Sequence, residues 1–207
     1  MRPLQQQLLQ QNQQTSTHTF MADRWVVFGL GNPGDQYAKT RHNIGHMVID
    51  YLASGSKFST HKSRTQIADI RVAGQGVTVA KSQLYMNESG GPAKALADFY
   101  KVTSENLIVI HDELDIPFNT IRIKRGGGDN GHNGLKDLTK HFSGPDYLRV
   151  RMGIGRPAGP QDPADFVLKP FSSAEKKELD DFIARGAAAV ERLIEKGLEQ
   201  TQQEFNQ

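Results

Sequence analysis

The sequence predicts an α/β fold, a single-domain mixed β-sheet sandwiched by helices on both faces. Three observations lead there. Strand-like and helix-like runs alternate along the chain instead of segregating. The run Leu107–Ile110 is apolar at every position, as expected of a strand covered on both faces. The chain has 207 residues, 37% of them hydrophobic and 23% charged, which is enough to bury a core without covalent staples. It contains no cysteine, so disulfide scaffolds, thiol nucleophiles and iron–sulfur sites are excluded. The formal net charge of +2 says little about partners by itself.

Residues 1–20 hold seven glutamines, one arginine and no acid. Such a polar tract cannot bury enough surface to offset its ordering entropy and reads as a disordered leader. It has neither the apolar run nor the basic cluster of a secretory signal. The folded unit is expected over 21–207 as one domain, cytoplasmic, with no stretch apolar enough to span a bilayer. The run from Arg24 to Leu30 is the first strand and ends in the loop Gly31-Asn32-Pro33-Gly34. Asn43 is placed to cap a helix whose inward positions are Ile44, Met47, Val48, Tyr51 and Leu52. Two strands follow, 66–72 and 76–82, joined by Ala73-Gly74-Gln75. A second helix fits 91–100, with Pro92 in the first turn where its missing N–H does no harm. Beyond the buried strand at 107–110, further strands are expected at 120–124 and 147–154, with a short helix at about 133–141 between them. Ser172 and Glu175 form a capping box ahead of a long amphipathic helix through about Lys196.

The chemistry concentrates in the loops. Gly29–Gly34 literally matches G-x-G-x-x-G after a strand, but a dinucleotide site needs helix N–H groups and an acid at the end of the second strand. Pro33 removes one N–H and Asp50 falls in a helical pattern, so a plain turn fits better. Asn32 would still put an amide at the strand's C-terminal end, where α/β folds build their sites. A lone histidine such as His42 is most often structural. As a base it needs a carboxylate to fix its tautomer, and Asp112 in His111-Asp112-Glu113-Leu114-Asp115 is the best placed. The same acids could suggest a metal, although no cage spacing supports one. Asn87 is either a helix cap or a site amide. Gly126–Gly134 has five glycines in nine residues, which implies tight turns or close backbone approach, and it lacks the lysine of a Walker loop. Between Ile121 and Arg156 lie eight Lys or Arg against three Asp, a net of +5: a solvated face or a phosphate-binding one.

Taken in order, these blocks resemble the bacterial-type peptidyl-tRNA hydrolase family. They are Gly29–Gly34 with Tyr37 and Thr40-Arg41-His42-Asn43-Ile44-Gly45, then Met86–Gly90, His111–Asp115, Gly126–Gly134, and Arg149–Pro157. The resemblance implies hydrolysis of the ester joining a peptide, or an N-blocked aminoacyl group, to the 3′-terminal ribose of tRNA, which recycles the tRNA. It implies His42 as general base and Asp112 as the group holding its imidazole. Asn32, Tyr37, Asn87 and Asn133 would bind substrate, and Lys124, His132 and Arg151 would contact tRNA. No metal, no cofactor, no membrane and no obligate protein partner are implied, and a monomer is expected. Asn130 stands where the family usually has glycine, the end Gln200–Gln207 is not basic, and the leader has no family counterpart. Two other classes compete. One is a non-catalytic RNA-binding module similar to plant organelle splicing factors; the other is a metal-dependent phosphate-ester hydrolase using the acids at 112–115. Retention of His42, Asp112, Asn32, Asn87 and Asn133 together favours the ester hydrolase.

Overall fold

A computed structural model of the protein describes residues 24–207, and the leader read at 1–20 lies outside the described residues. Seven strands form one mixed sheet: β1 (Trp25–Gly29), β2 (Ser59–His61), β3 (Thr65–Val72), β4 (Gln75–Ser82), β5 (Leu107–Glu113), β6 (Ile121–Arg125) and β7 (Leu148–Gly153). Their spatial order is β2-β3-β4-β1-β5-β7-β6. The central four, β4, β1, β5 and β7, run parallel, and the flanking strands β3, β2 and β6 pair antiparallel. Five helices accompany them: α1 (Ile44–Leu52), α2 (Gly90–Tyr100), α3 (Asn133–His141), α4 (Pro163–Val167) and α5 (Lys176–Phe205).

Strand alternation explains how both faces are filled. On β1 and β5, Val27, Ile108 and Ile110 join Ile44, Val48 and Ile49 of α1 and Phe182, Val190 and Leu193 of α5 in one core. Their neighbours Val26, Phe28, Leu107 and Val109 join Ala93 and Leu96 of α2 and Leu135 and Leu138 of α3 in the other. A strand with apolar partners on both sides has no polar position to spare, which is why 107–110 reads as one apolar run.

The parallel strands all end at one edge, the place where α/β sheets build sites. Past β1 comes Asn32, past β4 come Met86 and Asn87, and Asp112 lies on β5 itself. α1 starts at the same edge in very close contact with the sheet. A Cβ on Gly45 would sit 2.5 Å from the Ile110 carbonyl oxygen and 2.6 Å from that of Leu30. The chain after β6 has further to go. Arg125 pairs with Leu148 at the start of β7, so the glycine-rich loop must climb back along the sheet to reach the site edge at His132.

The structure corrects several local readings. Tyr51 is 53% exposed, and Ile49 takes the buried place on α1. Asn43 precedes α1 without capping it through its side chain, and Asn87 lies in a 3-10 turn, Met86–Glu88, instead of capping α2. β5 continues through Glu113, so Asp112 and Glu113 are strand residues, and only Asp115 lies in the turn that follows. β2 has only three residues and two of them are exposed, so it carries no apolar signal to read. α5 breaks at Gly197, where φ is +77°, and resumes to Phe205. The first glycine loop opens no helix directly, because turns and a 3-10 segment separate it from α1, and the geometry of a dinucleotide site is therefore missing.

The close crossing at Gly45 gives a direct test. Gly45→Ala should destabilise the protein by about 1–3 kcal/mol, because the obstacles are backbone atoms that cannot rotate away. Urea unfolding checks it: a lower midpoint at unchanged slope is expected, and an unchanged midpoint would contradict the crossing.

Candidate active site

Residues 41–43 form a 3-10 turn whose outer members are anchored to neighbouring segments and whose middle member, His42, turns toward Asp112. Arg41 is buried. Its guanidinium donates to the carbonyls of Lys169 (3.3 Å) and Pro170 (2.8 Å) and to Glu175 Oε2 (2.6 Å), and it lies over the Phe166 ring. Glu175 also accepts from Ser172 N–H, so the capping box seen in sequence fixes this turn as well. On the other flank, Asn43 Nδ2 donates to the Asn32 carbonyl and Asn43 Oδ1 accepts from Asn32 N–H, at 2.8 and 2.9 Å. The β1 loop and the α1 entry are thereby locked together, and His42 projects between them.

His42 Nδ1 lies 2.9 Å from both oxygens of Asp112, a carboxylate only 2% exposed. A second imidazole meets the same group, with His132 Nε2 2.9 Å from Asp112 Oδ1. The hydrogen-bond network assigns the tautomers. His132 caps α3 by accepting from Gly134 N–H (3.1 Å) and Leu135 N–H (3.4 Å) at Nδ1. Its lone pair is therefore on Nδ1, and its Nε2–H donates to Asp112. Asp112 in turn accepts Nδ1–H of His42, which leaves the lone pair of His42 on Nε2. Burial works against ionising Asp112, but His42 and His132 outweigh it and hold its carboxyl well below the usual carboxylate range. Burial likewise pushes His42 down, yet the charge and hydrogen bond of Asp112 leave it above the ordinary histidine value. Behind them His111 is fully buried. Burial and the nearby His132 keep it well below that value, and its Nδ1 meets the Asp112 carbonyl at 2.7 Å.

These groups border a cavity of about 540 Å³. Asn32, His42, Asn87, Asp112, His132 and Asn133 all line it, and Leu114, Ala164, Val167 and Leu168 give it an apolar wall. Asn32 Oδ1 accepts Met86 N–H at 2.8 Å, so the amide presents its Nδ2 donor. Asn87 and Asn133 are exposed at the rim. Tyr37 is not among the lining residues and instead packs edge-on against Tyr85, with ring centroids 6.3 Å apart.

The cationic region is less free than its count suggests. Arg149 is buried and donates to the carbonyls of Gly127 and Gly128, holding the glycine loop as it climbs the sheet. Arg125 pairs with Asp146, Arg156 with Asp115, and Arg151 with Glu113. Arg122 donates to the Phe205 carbonyl at the end of α5. Among the described residues, Lys124, Lys136 and Lys140 keep no carboxylate partner. His132, expected from the resemblance to contact tRNA, is turned inward on Asp112, with its side chain 8% exposed. Sequence reasoning missed its true place, and also Asn43 and Glu113. The spacing His132-Asn133-Gly134 ahead of an apolar run was the only signal for the cap.

His42, Asp112 and His132 also form the one group of possible metal-ligand atoms among the described residues. Ligation would need lone pairs from both imidazoles on the shared carboxylate's side. His132 points its lone pair at the backbone and His42 presents an N–H there, so the donor set suits proton handling better than ligation. Among the described residues no helix is long and apolar enough to cross a membrane.

A family model described as "Peptidyl-tRNA hydrolase" matches residues 26–207. The chain is 50% identical over 190 residues to the peptidyl-tRNA hydrolase of Pseudarthrobacter chlorophenolicus, covering 90% of this chain and 97% of that one. To that of Rhodococcus erythropolis it is 55% identical over 183 residues, covering 87% and 96%. The crystal structure of peptidyl-tRNA hydrolase from Acinetobacter baumannii superposes with a TM-score of 0.81 at 33% identity, covering 91% of this chain and 97% of that one. By sequence and by fold, the chain belongs to the peptidyl-tRNA hydrolase family of hydrolases.

Proposed function

We propose that the protein cleaves the ester between a peptide, or an N-blocked aminoacyl group, and the 3′-terminal ribose of tRNA, with His42 as general base. The observation that carries this is the tautomer lock. Asp112 takes the Nδ1–H of His42, and a base nitrogen is left at Nε2 beside the cavity. An acyl ester is activated enough for a positioned water to attack it, so neither a covalent nucleophile nor a metal is needed. His42 Nε2 takes a proton from that water as its oxygen bonds to the ester carbon. Asp112 stabilises the imidazolium, which then returns a proton to the departing ribose oxygen. Asn32 Nδ2 is a donor with its orientation fixed from behind, which suits the developing oxyanion better than it suits a proton acceptor. Asn87 and Asn133 at the rim offer amides to the peptide backbone or the terminal nucleotide. His132 holds Asp112, and Tyr37 supports the loop rather than touching substrate.

For tRNA, Lys124 and Arg151 are the phosphate contacts, acting on the backbone without reading bases. Burial and the neighbouring Arg151 and Arg149 hold the Lys124 ammonium below its ordinary value, while Glu113 opposes them. A phosphate arriving there meets cations that repel one another and gain by its presence. The protein is expected to act as a monomer without a partner protein, in the cytoplasm.

His42→Ala should cut turnover by at least about a hundredfold, measured on N-blocked aminoacyl-tRNA in EDTA. The unblocked ester should resist cleavage by wild type. Loss of wild-type activity on chelation would favour a metal instead, and a folded protein that binds tRNA without cleaving would favour an RNA-binding module. The pH profile has a definite sign. Since His42 must be unprotonated and its value is raised, kcat/KM should climb with pH through an inflection above the ordinary histidine value. Asp112→Asn removes the group that raises it, so the inflection should move to lower pH while the maximal rate falls. An unmoved inflection would assign the limb to another group. Lys124→Ala should weaken tRNA binding and flatten the plot of log affinity against log salt by about 0.7–0.9. An unchanged slope would place the phosphate elsewhere.

A further inference from the structure

Glu113 follows Asp112 on β5, is 5% exposed, and has no part in the proton transfers above. Its carboxylate is crowded with donors. Oε2 accepts from Arg151 Nη2 (3.0 Å), Arg151 Nε (3.2 Å) and Asn130 Nδ2 (3.2 Å), while Oε1 accepts from Asp115 N–H (3.2 Å). One oxygen thus ties a strand cation to the glycine-rich loop that forms part of the cavity wall. Asn130 sits in that loop at φ +50°, a left-handed conformation that asparagine tolerates better than most residues. A glycine there could keep the backbone but would offer no donor.

We infer that Glu113 is a positioning residue for the substrate's phosphate, holding Arg151 and, through Asn130, the loop beside the reacting ester as one unit. The inference rests on reading Arg151 as a phosphate contact. Arg151 has five N–H donors in a rigid fork. Two of them face Glu113, which fixes the plane of the guanidinium and leaves the others for an incoming oxyanion. A carboxylate oxygen has too few lone pairs to satisfy three donors fully, so each contact depends on the others. Displacing Arg151 therefore changes the hold on Asn130, and the reverse is equally true. Asp115 also pairs with Arg156, so the same turn links a further cation to this group.

A double-mutant cycle tests this, with KM and kcat measured separately on N-blocked peptidyl-tRNA. Asn130→Gly should raise KM by about fivefold with kcat within about twofold, and should do almost nothing in an Arg151→Ala background. Glu113→Gln, which loses the charge and puts an NH2 donor in place of one of the two acceptor oxygens, should raise KM alike and weaken the effect of Asn130→Gly. A merely structural role would lower thermal stability without this non-additivity. If Arg151→Ala raises KM but the two substitutions combine multiplicatively, the coupling is wrong and the phosphate contact stands. If Arg151→Ala leaves KM and its salt dependence unchanged, the phosphate reading fails and takes the inference with it.

Discussion

The site depends on one buried carboxylate shared by two imidazoles. Ionising a carboxyl in the interior costs several kcal/mol unless donors surround it. Asp112 is ionised because His42 and His132 both donate to it at 2.9 Å. The price is that each donor must be held in place from elsewhere. His132 is held by the first N–H groups of α3, which it caps. His42 is held by its neighbours, Arg41 reaching across to Glu175 and Asn43 to the backbone of Asn32. Histidine, an adaptable residue in principle, is here left with one free nitrogen and one direction to use it.

That constraint organises the edge of the sheet. β1, β4 and β5 deliver Asn32, Met86 and Asp112 to one side because they run parallel. α1 can start at this edge only because Gly45 lets its backbone meet that of Leu30 and Ile110. The glycine-rich loop covers the distance from β6 to the site by lying along the sheet, with buried Arg149 satisfying its carbonyls. Its glycines are thus explained by the path it takes, without a bound nucleotide. The same edge divides into a polar floor of amides and imidazoles and an apolar wall at Leu114, Val167 and Leu168. Such a division fits a substrate that joins a peptide to a ribose.

Much of this was legible in the sequence. The alternation of strand-like and helix-like runs and the apolar run at 107–110 predict the fold class, and the five ordered motif blocks imply the pairing of His42 with Asp112 that the structure shows. What was not legible depended on contacts between distant segments. Asn43 has the residue type and position of a helix cap, yet its side chain is spent on Asn32, eleven residues earlier. His132 sits in a basic stretch that suggested phosphate, and only the fold shows that it faces Asp112, twenty residues away in sequence. The net +5 between Ile121 and Arg156 counted arginines whose carbonyl and carboxylate partners charge counting cannot see. Asn130 read as a departure from a glycine pattern; its φ of +50° and its bond to Glu113 explain how the chain accommodates it.

The central claim is a statement about protons on nitrogen, and nitrogen NMR of the histidine side chains reads it most directly. In the free enzyme above the titration of His42, its ring should show hydrogen on Nδ1 and a bare Nε2, while His132 shows the opposite tautomer. Finding the hydrogen of His42 on Nε2 would leave no base at the cavity and would contradict the account.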